Sequence, residues 1–177
     1  TLGDGTTNDT KIVFDGNAQD YHIGLDDSAD TLSIGKGSAL GTTTSMTFNA
    51  NGIVTKPLQP AFRVHKTSAQ TASGNMELVT WNTEELDIGG NFASNLFTAP
   101  VAGTYLFHLT ALTPASTDVE IYDIGYTPVG GSVTELMKFM STNSDAYESL
   151  GGSAIRLMGA GETMGVYIAA SGDTMYG

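Results

Sequence analysis

The sequence contains no cysteine. This absence removes disulfides, thiolate nucleophiles and zinc–thiolate centres from the possible sources of stability and chemistry. Basic residues are also scarce, with seven Lys and Arg against 19 Asp and Glu and a net charge of −12. Nucleic-acid binding is not expected, because phosphate neutralisation needs clustered basic side chains. No apolar run approaches the roughly 20 residues that span a bilayer, so no membrane insertion is expected either.

Glycine, in contrast, is abundant. It accounts for 22 of 177 residues, well above the usual fraction of roughly 7%, and this excess predicts many tight turns between short strands. The composition changes at Lys56-Pro57, where an Asp-rich part without Glu gives way to a part with Pro, Glu and most of the aromatic residues. We therefore place a domain boundary there and treat residues 1–56 and 57–177 as two domains.

The first domain, residues 1–56, has the two-residue period of short β-strands. Tyr21, Ile23 and Leu25, for example, alternate with polar or small residues, as expected for a strand with one buried face. Such short strands cannot bury themselves alone in water. We expect a β-rich stalk in which three identical chains intertwine or stack. A disordered acidic linker is the alternative that the polar composition leaves open.

The second domain, residues 57–177, is predicted to be all-β as well. No window combines a helical period with caps, and turn residues separate the apolar segments at spacings typical of a sandwich or barrel. About eight strands in about 120 residues is the number found in a jelly roll. The predicted strands are 61–66, 76–81, 95–99, 104–112, 119–126, 133–140, 153–158 and 163–169.

One segment of this domain, residues 95–112, has a clear arrangement of core-facing and turn residues. Strand alternation in residues 95–112 places Phe97, Tyr105 and Phe107 on the side that faces the core. Pro100 ends the first strand because it has no amide hydrogen for the ladder, and Gly103 relieves the turn back. We expect these five residues to form the structural core of the segment.

The stretch LDIGGNFASNLFTAPVAGTYLFHLTAL, residues 86–112, resembles the signature of the globular head of the complement first-component q subunits. That head is a trimeric jelly roll related to tumour necrosis factor. Weaker matches lie at residues 60–62, 81–82 and 154–170. The resemblance implies a jelly-roll head in a homotrimer, with one face of some strands lining the trimer axis. The closing strand of the family, with Phe, Gly and Leu, has no counterpart here, so we expect the last strand of the head to be missing.

The N-terminal stretch GDGTTNDTKIVFDGNAQDYHIGLDDSADTLSIGKGSALGTT, residues 3–43, resembles a segment of tail-fibre and other structural proteins of marine bacteriophages. In those proteins the segment often precedes a receptor-binding head. This resemblance favours a stalk over a linker. It also implies an extracellular location in the virion, on the tail or fibre, with other virion or tail proteins as partners.

Catalytic candidates are few. The sequence has no G-x-S-x-G elbow and no phosphate-binding loop. Glu84, Glu85 and Asp87 form an acidic cluster of the kind that glycan cleavage needs, but we interpret it as solvated acid in a connecting loop. His108 is interpreted as a packed, hydrogen-bonded histidine, because no nucleophile motif accompanies it. We therefore expect no enzyme activity.

The stretch DDSAD is the candidate metal site. Asp26, Asp27 and Asp30 carry hard oxygen ligands suited to Ca²⁺, but their spacing does not fit an EF-hand loop. A surface turn is the favoured interpretation, with calcium as the alternative, and no other cofactor is expected.

Binding residues are expected in the loops of the head, since a rigid sandwich presents its loops to partners. The long polar loops are predicted at 113–118, 127–133 and 141–153. Tyr147 either stacks on a sugar or protein or covers the edge of the sandwich. The candidate binding residues are Thr117, Asp118, Ser144, Asp145, Tyr147 and Glu148.

Together these features predict a non-enzymatic virion structural and adhesion protein. It would be the distal part of a homotrimeric phage tail fibre whose head loops bind a glycan or protein on the bacterial surface. Two alternatives stay open. One is an architectural capsid or tail decoration protein without host contact, and the other is a tail-associated enzyme that degrades polysaccharide.

Overall fold

The computed structural model describes residues 2–116, 118–142 and 147–177. Every regular element in these ranges is a β-strand, so the predicted all-β class is confirmed. In the same ranges no helix is long and apolar enough to cross a membrane. The chain divides into two compact units, Thr1–Gln59 and Pro60–Gly177. The division lies three residues after the position at which the composition changes.

The first unit is a five-stranded antiparallel sheet in which each strand pairs with the next along the chain. Its strands are β1 Thr10–Phe14, β2 Tyr21–Asp26, β3 Thr31–Lys36, β4 Thr44–Asn49 and β5 Val54–Thr55. Gly52, at the turn before β5, has a φ of 76°, which glycine adopts without strain. The sheet is complete within one chain. The association of three chains in a stalk stays a prediction.

The second unit contains twelve strands in the described residues. They are β6 Ala61–His65, β7 Gln70–Thr71, β8 Glu77–Leu78, β9 Thr83–Ile88, β10 Phe92–Ala93, β11 Leu96–Thr98, β12 Gly103–Thr113, β13 Glu120–Thr127, β14 Thr134–Ser141, β15 Glu148–Met158, β16 Thr163–Ile168 and β17 Thr174–Met175. One layer has the order β10-β11-β16-β13-β14, with β8 also paired to β16. The long strands β12 and β15 pair along eleven residues in the other layer.

The shorter strands complete the second layer. β17 pairs with β7, and a single bridge from Tyr176 to Leu112 connects this pair to the end of β12. β6 pairs with β9. The last residues of the chain therefore lie beside β12 only at its C-terminal end. Along the rest of β12 the described residues leave the edge opposite β15 without a partner strand.

Aromatic side chains fill the space between the layers. Phe62 stacks on Phe92 and on Phe97, with ring centroids 4.8 and 5.3 Å apart. Phe97 and Phe107 are both buried, and Tyr105 is half-buried beside them. Trp81, the single tryptophan of the chain, packs against the same core.

Two of the five residues expected in this core lie outside it. Pro100 is exposed, whereas Ala99 before it is buried. Gly103 is half-buried and is the first residue of β12. The strand β11 nevertheless ends before Pro100, at Thr98.

Two predicted loops are strands. Residues 148–153, expected in a loop, belong to β15. A Cβ on Gly151 would lie 2.6 Å from the carbonyl oxygen of Leu109, so glycine here allows close strand packing rather than a turn. Glu84, Glu85 and Asp87, expected in a connecting loop, lie on β9, which pairs with β6.

Candidate functional site: loops and outer face of the second unit

Of the candidate loop residues, Asp118, Tyr147 and Glu148 lie in the described part of the chain. Thr117, Ser144 and Asp145 lie outside the described residues. Asp118 is exposed, and its backbone N–H donates to Oγ of Ser116 at 3.2 Å. Asp118 and Tyr147 contact different residues, Ser116 and Tyr176.

Tyr147 is the best supported of these candidates. Its side chain is 61% exposed, and the edge-to-face contact with Tyr176 has a centroid distance of 5.4 Å. The second ring restricts the orientation of the first, which leaves a fixed aromatic surface open to solvent. Both interpretations of Tyr147 therefore remain compatible with its position.

Glu148 is not a free loop carboxylate. It is half-buried at the first position of β15, and its Oε2 accepts a hydrogen bond from the Ser141 hydroxyl at 2.5 Å. The carboxylate thereby ties the start of β15 to the end of β14.

Two other carboxylates, those of Glu120 and Asp173, were not singled out from the sequence. They hold the last strand, β17, in place. The N–H of Thr174 donates to Oε2 of Glu120, and the N–H of Ile121 donates to Oδ2 of Asp173, both at 2.7 Å. Burial raises the pKa of Asp173, and the nearby charge of Asp118 adds to this rise. These carboxyl groups satisfy backbone donors, so their role is structural.

Two of the three acidic residues considered as candidates for glycan cleavage have other partners. Glu85 binds Arg63 at 2.8 Å and His65 at 3.1 Å across the β6–β9 pair. The two carboxylate oxygens of Asp87 accept the N–H groups of Asn91 and Phe92, each at 3.0 Å. Glu84 is exposed on β9.

The DDSAD stretch forms the connection between β2 and β3. Oδ1 of Asp26 accepts the Ser28 hydroxyl at 2.7 Å and the Ala29 N–H at 3.2 Å. Asp27 and Asp30 close the turn, where Asp30 has a φ of 50°. Within the described ranges, no group of three His, Cys, Asp or Glu side chains is placed to hold a metal ion.

The outer face of β12 and β15 carries exposed apolar side chains and is the kind of strand face that the resemblance implies at a trimer axis. Leu106 is 67% exposed, and Ile155 and Leu157 on the facing strand are 73% and 71% exposed. Leu106 and Ile155 are directly opposite in the register. We call the exposed face formed by Leu106, Ile155 and Leu157 the head face.

His108 also lies on this side of β12, where it is exposed rather than packed within the chain. The expected hydrogen bonding is present, with Nδ1 of His108 3.0 Å from Oγ of Ser153 and Nε2 3.3 Å from Oγ1 of Thr110. The expectation of packing was wrong for a single chain, because the outward positions of β12 alternate with the buried Phe107 and Leu109.

A cavity of about 500 Å³ opens between β6 and β12. Its walls include apolar core residues and four side chains that are or can become cationic, namely Arg63, His65, Lys66 and His108. Lys66 is buried, and its Nζ donates to Oε1 of Gln70 at 3.2 Å and to the carbonyl of Thr80 at 2.8 Å. Burial lowers the pKa of Lys66 because the ammonium loses hydration.

Comparison with solved structures identifies the architecture of this unit. The globular domain of a zebrafish complement 1qA protein matches with a TM-score of 0.55 and 20% identity, covering 66% of this chain and 91% of that one. Eiger TNF from S. frugiperda matches with a TM-score of 0.53 and 14% identity, covering 67% and 83%. The fold is the C1q/TNF jelly roll. Murine APRIL at pH 8.0 matches this jelly roll with a TM-score of 0.52 and 14% identity, covering 66% and 95%.

The jelly-roll prediction for the head is thereby confirmed at the level of the fold. No protein-family model matches the chain, and no curated protein matches it. The matched share agrees with the size of the second unit, which holds 118 of the 177 residues.

Proposed function

We propose that the protein is a non-enzymatic, homotrimeric adhesion component of a phage virion, located on the tail or fibre. The observation that supports trimer formation is the head face, where Leu106, Ile155 and Leu157 are exposed in a single chain. Large apolar patches of this kind mark association surfaces in soluble proteins. The resemblance of residues 3–43 to marine phage tail-fibre segments supports the virion role.

Recognition would occur through repeated loops rather than through a catalytic pocket. Each head presents the exposed ring of Tyr147 and the exposed Asp118, and a trimer presents three copies. Contacts that are individually weak then gain from multivalency when the spacing of the receptors permits simultaneous binding.

Charge restricts the receptor. Three chains of −12 each carry −36, which repels anionic bacterial glycans. The favoured receptor is a protein or a neutral sugar, unless a divalent cation such as Ca²⁺ bridges the two surfaces.

The test is binding of the purified full chain to intact candidate host bacteria, with and without EDTA, alongside analysis of released glycans. We expect saturable binding with no sugar released. Tyr147→Ser should weaken apparent affinity by about tenfold, because every copy loses a contact. Leu58→Ser is the matched control, since Leu58 is 59% exposed but lies outside the head.

Two results would overturn the proposal. Released oligosaccharide would establish the enzyme alternative. Absence of binding to every strain of a defined host panel, with an assembled and folded protein, would favour the architectural alternative. Loss of binding in EDTA would identify a cation-bridged receptor and leave the adhesion proposal standing.

A further inference from the structure

The sheet of the first unit has one face that is almost wholly apolar. The register brings Ile12, Ile23, Ile34 and Met46 into one row across four strands. The same face carries apolar side chains at neighbouring positions of all five strands. Its ten apolar members are Ile12, Phe14, Tyr21, Ile23, Leu25, Leu32, Ile34, Met46, Phe48 and Val54. We call this surface the sheet face.

The opposite face of the same sheet is polar and already closed by its own side chains. His22 is buried there, and its Nδ1 is 2.9 Å from the carbonyl oxygen of Gly37. A Cβ on Gly35 would lie 2.8 Å from the His22 ring, so the ring fills the space above that glycine. Ser33 is buried on this side as well. The exposed apolar side chains of this sheet are concentrated on the sheet face, and Val13 is exposed on the polar face.

Exposure of the sheet face is high in the described chain. Phe14, Leu25 and Tyr21 are each more than half exposed, at 59%, 55% and 52%. A sheet with an apolar face is stable only when a second layer covers that face. Four strands of five or six residues and the two-residue β5 span about 20 Å in each direction, which is on the order of 400 Å² of flat surface. Monomeric proteins rarely leave a contiguous apolar patch of that size uncovered.

Charge distribution indicates what covers it. The seven Asp residues of this part of the sequence lie in turns, before β1 or on the polar face, where Asp26 ends β2. Lys36, at the rim, is the single charged position of the sheet face by register. Two copies of this acidic chain can therefore bring the sheet face together without opposing carboxylates.

We propose that the sheet face packs against the same face of other copies of this chain. The contact is a second association surface, separate from the head face, and it makes the first unit a self-associating element. This inference goes beyond the adhesion proposal and does not depend on it. If the protein assembles through the sheet face but binds no bacterium, the inference still holds.

The test uses the absence of cysteine. Ile12 and Val13 are neighbours on β1, both β-branched, and are 43% and 37% exposed in the single chain. Ile12 lies on the sheet face, whereas Val13 lies on the polar face, since it pairs with His22. In the full chain, Ile12→Cys and Val13→Cys each introduce the sole thiol, and its rate of reaction with a maleimide reports local access.

We expect the thiol of Ile12→Cys to react about tenfold more slowly than that of Val13→Cys in the assembled protein, because association buries the sheet face. The difference should vanish in denaturant. Equal rates in the native protein, at concentrations where light scattering shows an oligomer, would overturn the proposal.

A second measurement separates the sheet face from the head face. Ile155→Asp places a charge in the head face, and Ile34→Asp or Val13→Asp is then added to it. We expect Ile34→Asp to raise the dissociation constant of the remaining oligomer by about tenfold, and Val13→Asp to change it less than about twofold. Ile12→Asp replaces Ile34→Asp if circular dichroism shows lost strand content. No difference between the two additions would refute association through the sheet face.

Discussion

Asp123, on β13, is the residue whose environment most conflicts with its charge. The side chain has no exposed surface, and neither carboxyl oxygen has a hydrogen-bond partner among the described residues. Nζ of Lys138 lies 3.9 Å away, too far for a hydrogen bond, and is closer to Glu135, at 3.1 Å. Burial raises the pKa of Asp123, Glu135 raises it further, and Lys138 offsets this only in part.

The direction in which stability changes with pH follows from the linkage between proton binding and folding. Because the folded pKa lies above the unfolded value of about 3.9, ionised Asp123 destabilises the fold at neutral pH. This penalty disappears as the pH falls through the raised folded pKa, and it is absent below the unfolded one. We expect Asp123→Asn to raise the free energy of unfolding by about 1 kcal/mol at pH 7.

The measurement is urea unfolding of Asp123→Asn and the unsubstituted protein at pH 7 and at pH 4, at one protein concentration. The stability difference should shrink toward zero at pH 4. A difference that is the same at both pH values would show that the pKa of Asp123 does not change on folding, contrary to the effect of its burial.

Strands whose inward and outward positions differ in polarity were predictable from the sequence. β12 was expected at 104–112 and lies at Gly103–Thr113, because Phe107 and Leu109 alternate with outward positions. β15 was missed at its start, since Gly151-Gly152 reads locally as a turn. Its strand pairing depends on contacts with Leu109 and Phe139, which are distant in sequence.

The candidate site was less predictable than the fold. The head face escaped loop-based reasoning because Leu106 and Ile155 each look like ordinary strand residues, and only the register places them together. Glu85 was expected in a loop. Its ion pair with Arg63 forms only when β6 and β9 pair, and this pairing is not visible in the local sequence.

The correction of β15 gives a prediction at the level of the element. Gly151→Ala should lower the free energy of unfolding by about 1–3 kcal/mol, because its Cβ would meet the backbone of β12 and overpack the strand pair. A flexible loop would tolerate the same change. Gly74→Ala is the control, since no atom lies within 4 Å of its Cβ and its φ is not positive. Equal midpoints for the two variants in urea would place residue 151 outside the strand.

At the scale of the whole molecule, two apolar surfaces are exposed in one chain: the head face and the sheet face. If copies of the chain cover both, the folded state is linked to association, and mass action stabilises it. The temperature of thermal unfolding should therefore rise with protein concentration.

Calorimetry over a hundredfold range of concentration measures this dependence. Ile155→Asp should reduce the slope, because it removes one of the two association surfaces. A midpoint that does not depend on concentration in the unsubstituted protein would mean that a single chain supplies all of the stability. That result would contradict the prediction that other copies cover the two exposed faces.

The position of Trp81 offers a way to observe the two units separately. It packs on the core of the second unit, and the first unit contains no tryptophan. Indole fluorescence therefore reports the jelly roll alone, whereas far-ultraviolet circular dichroism reports the strands of both units. Coincident transitions in one sample would reveal a single cooperative molecule, and separated transitions would give each unit its own unfolding curve without dividing the chain.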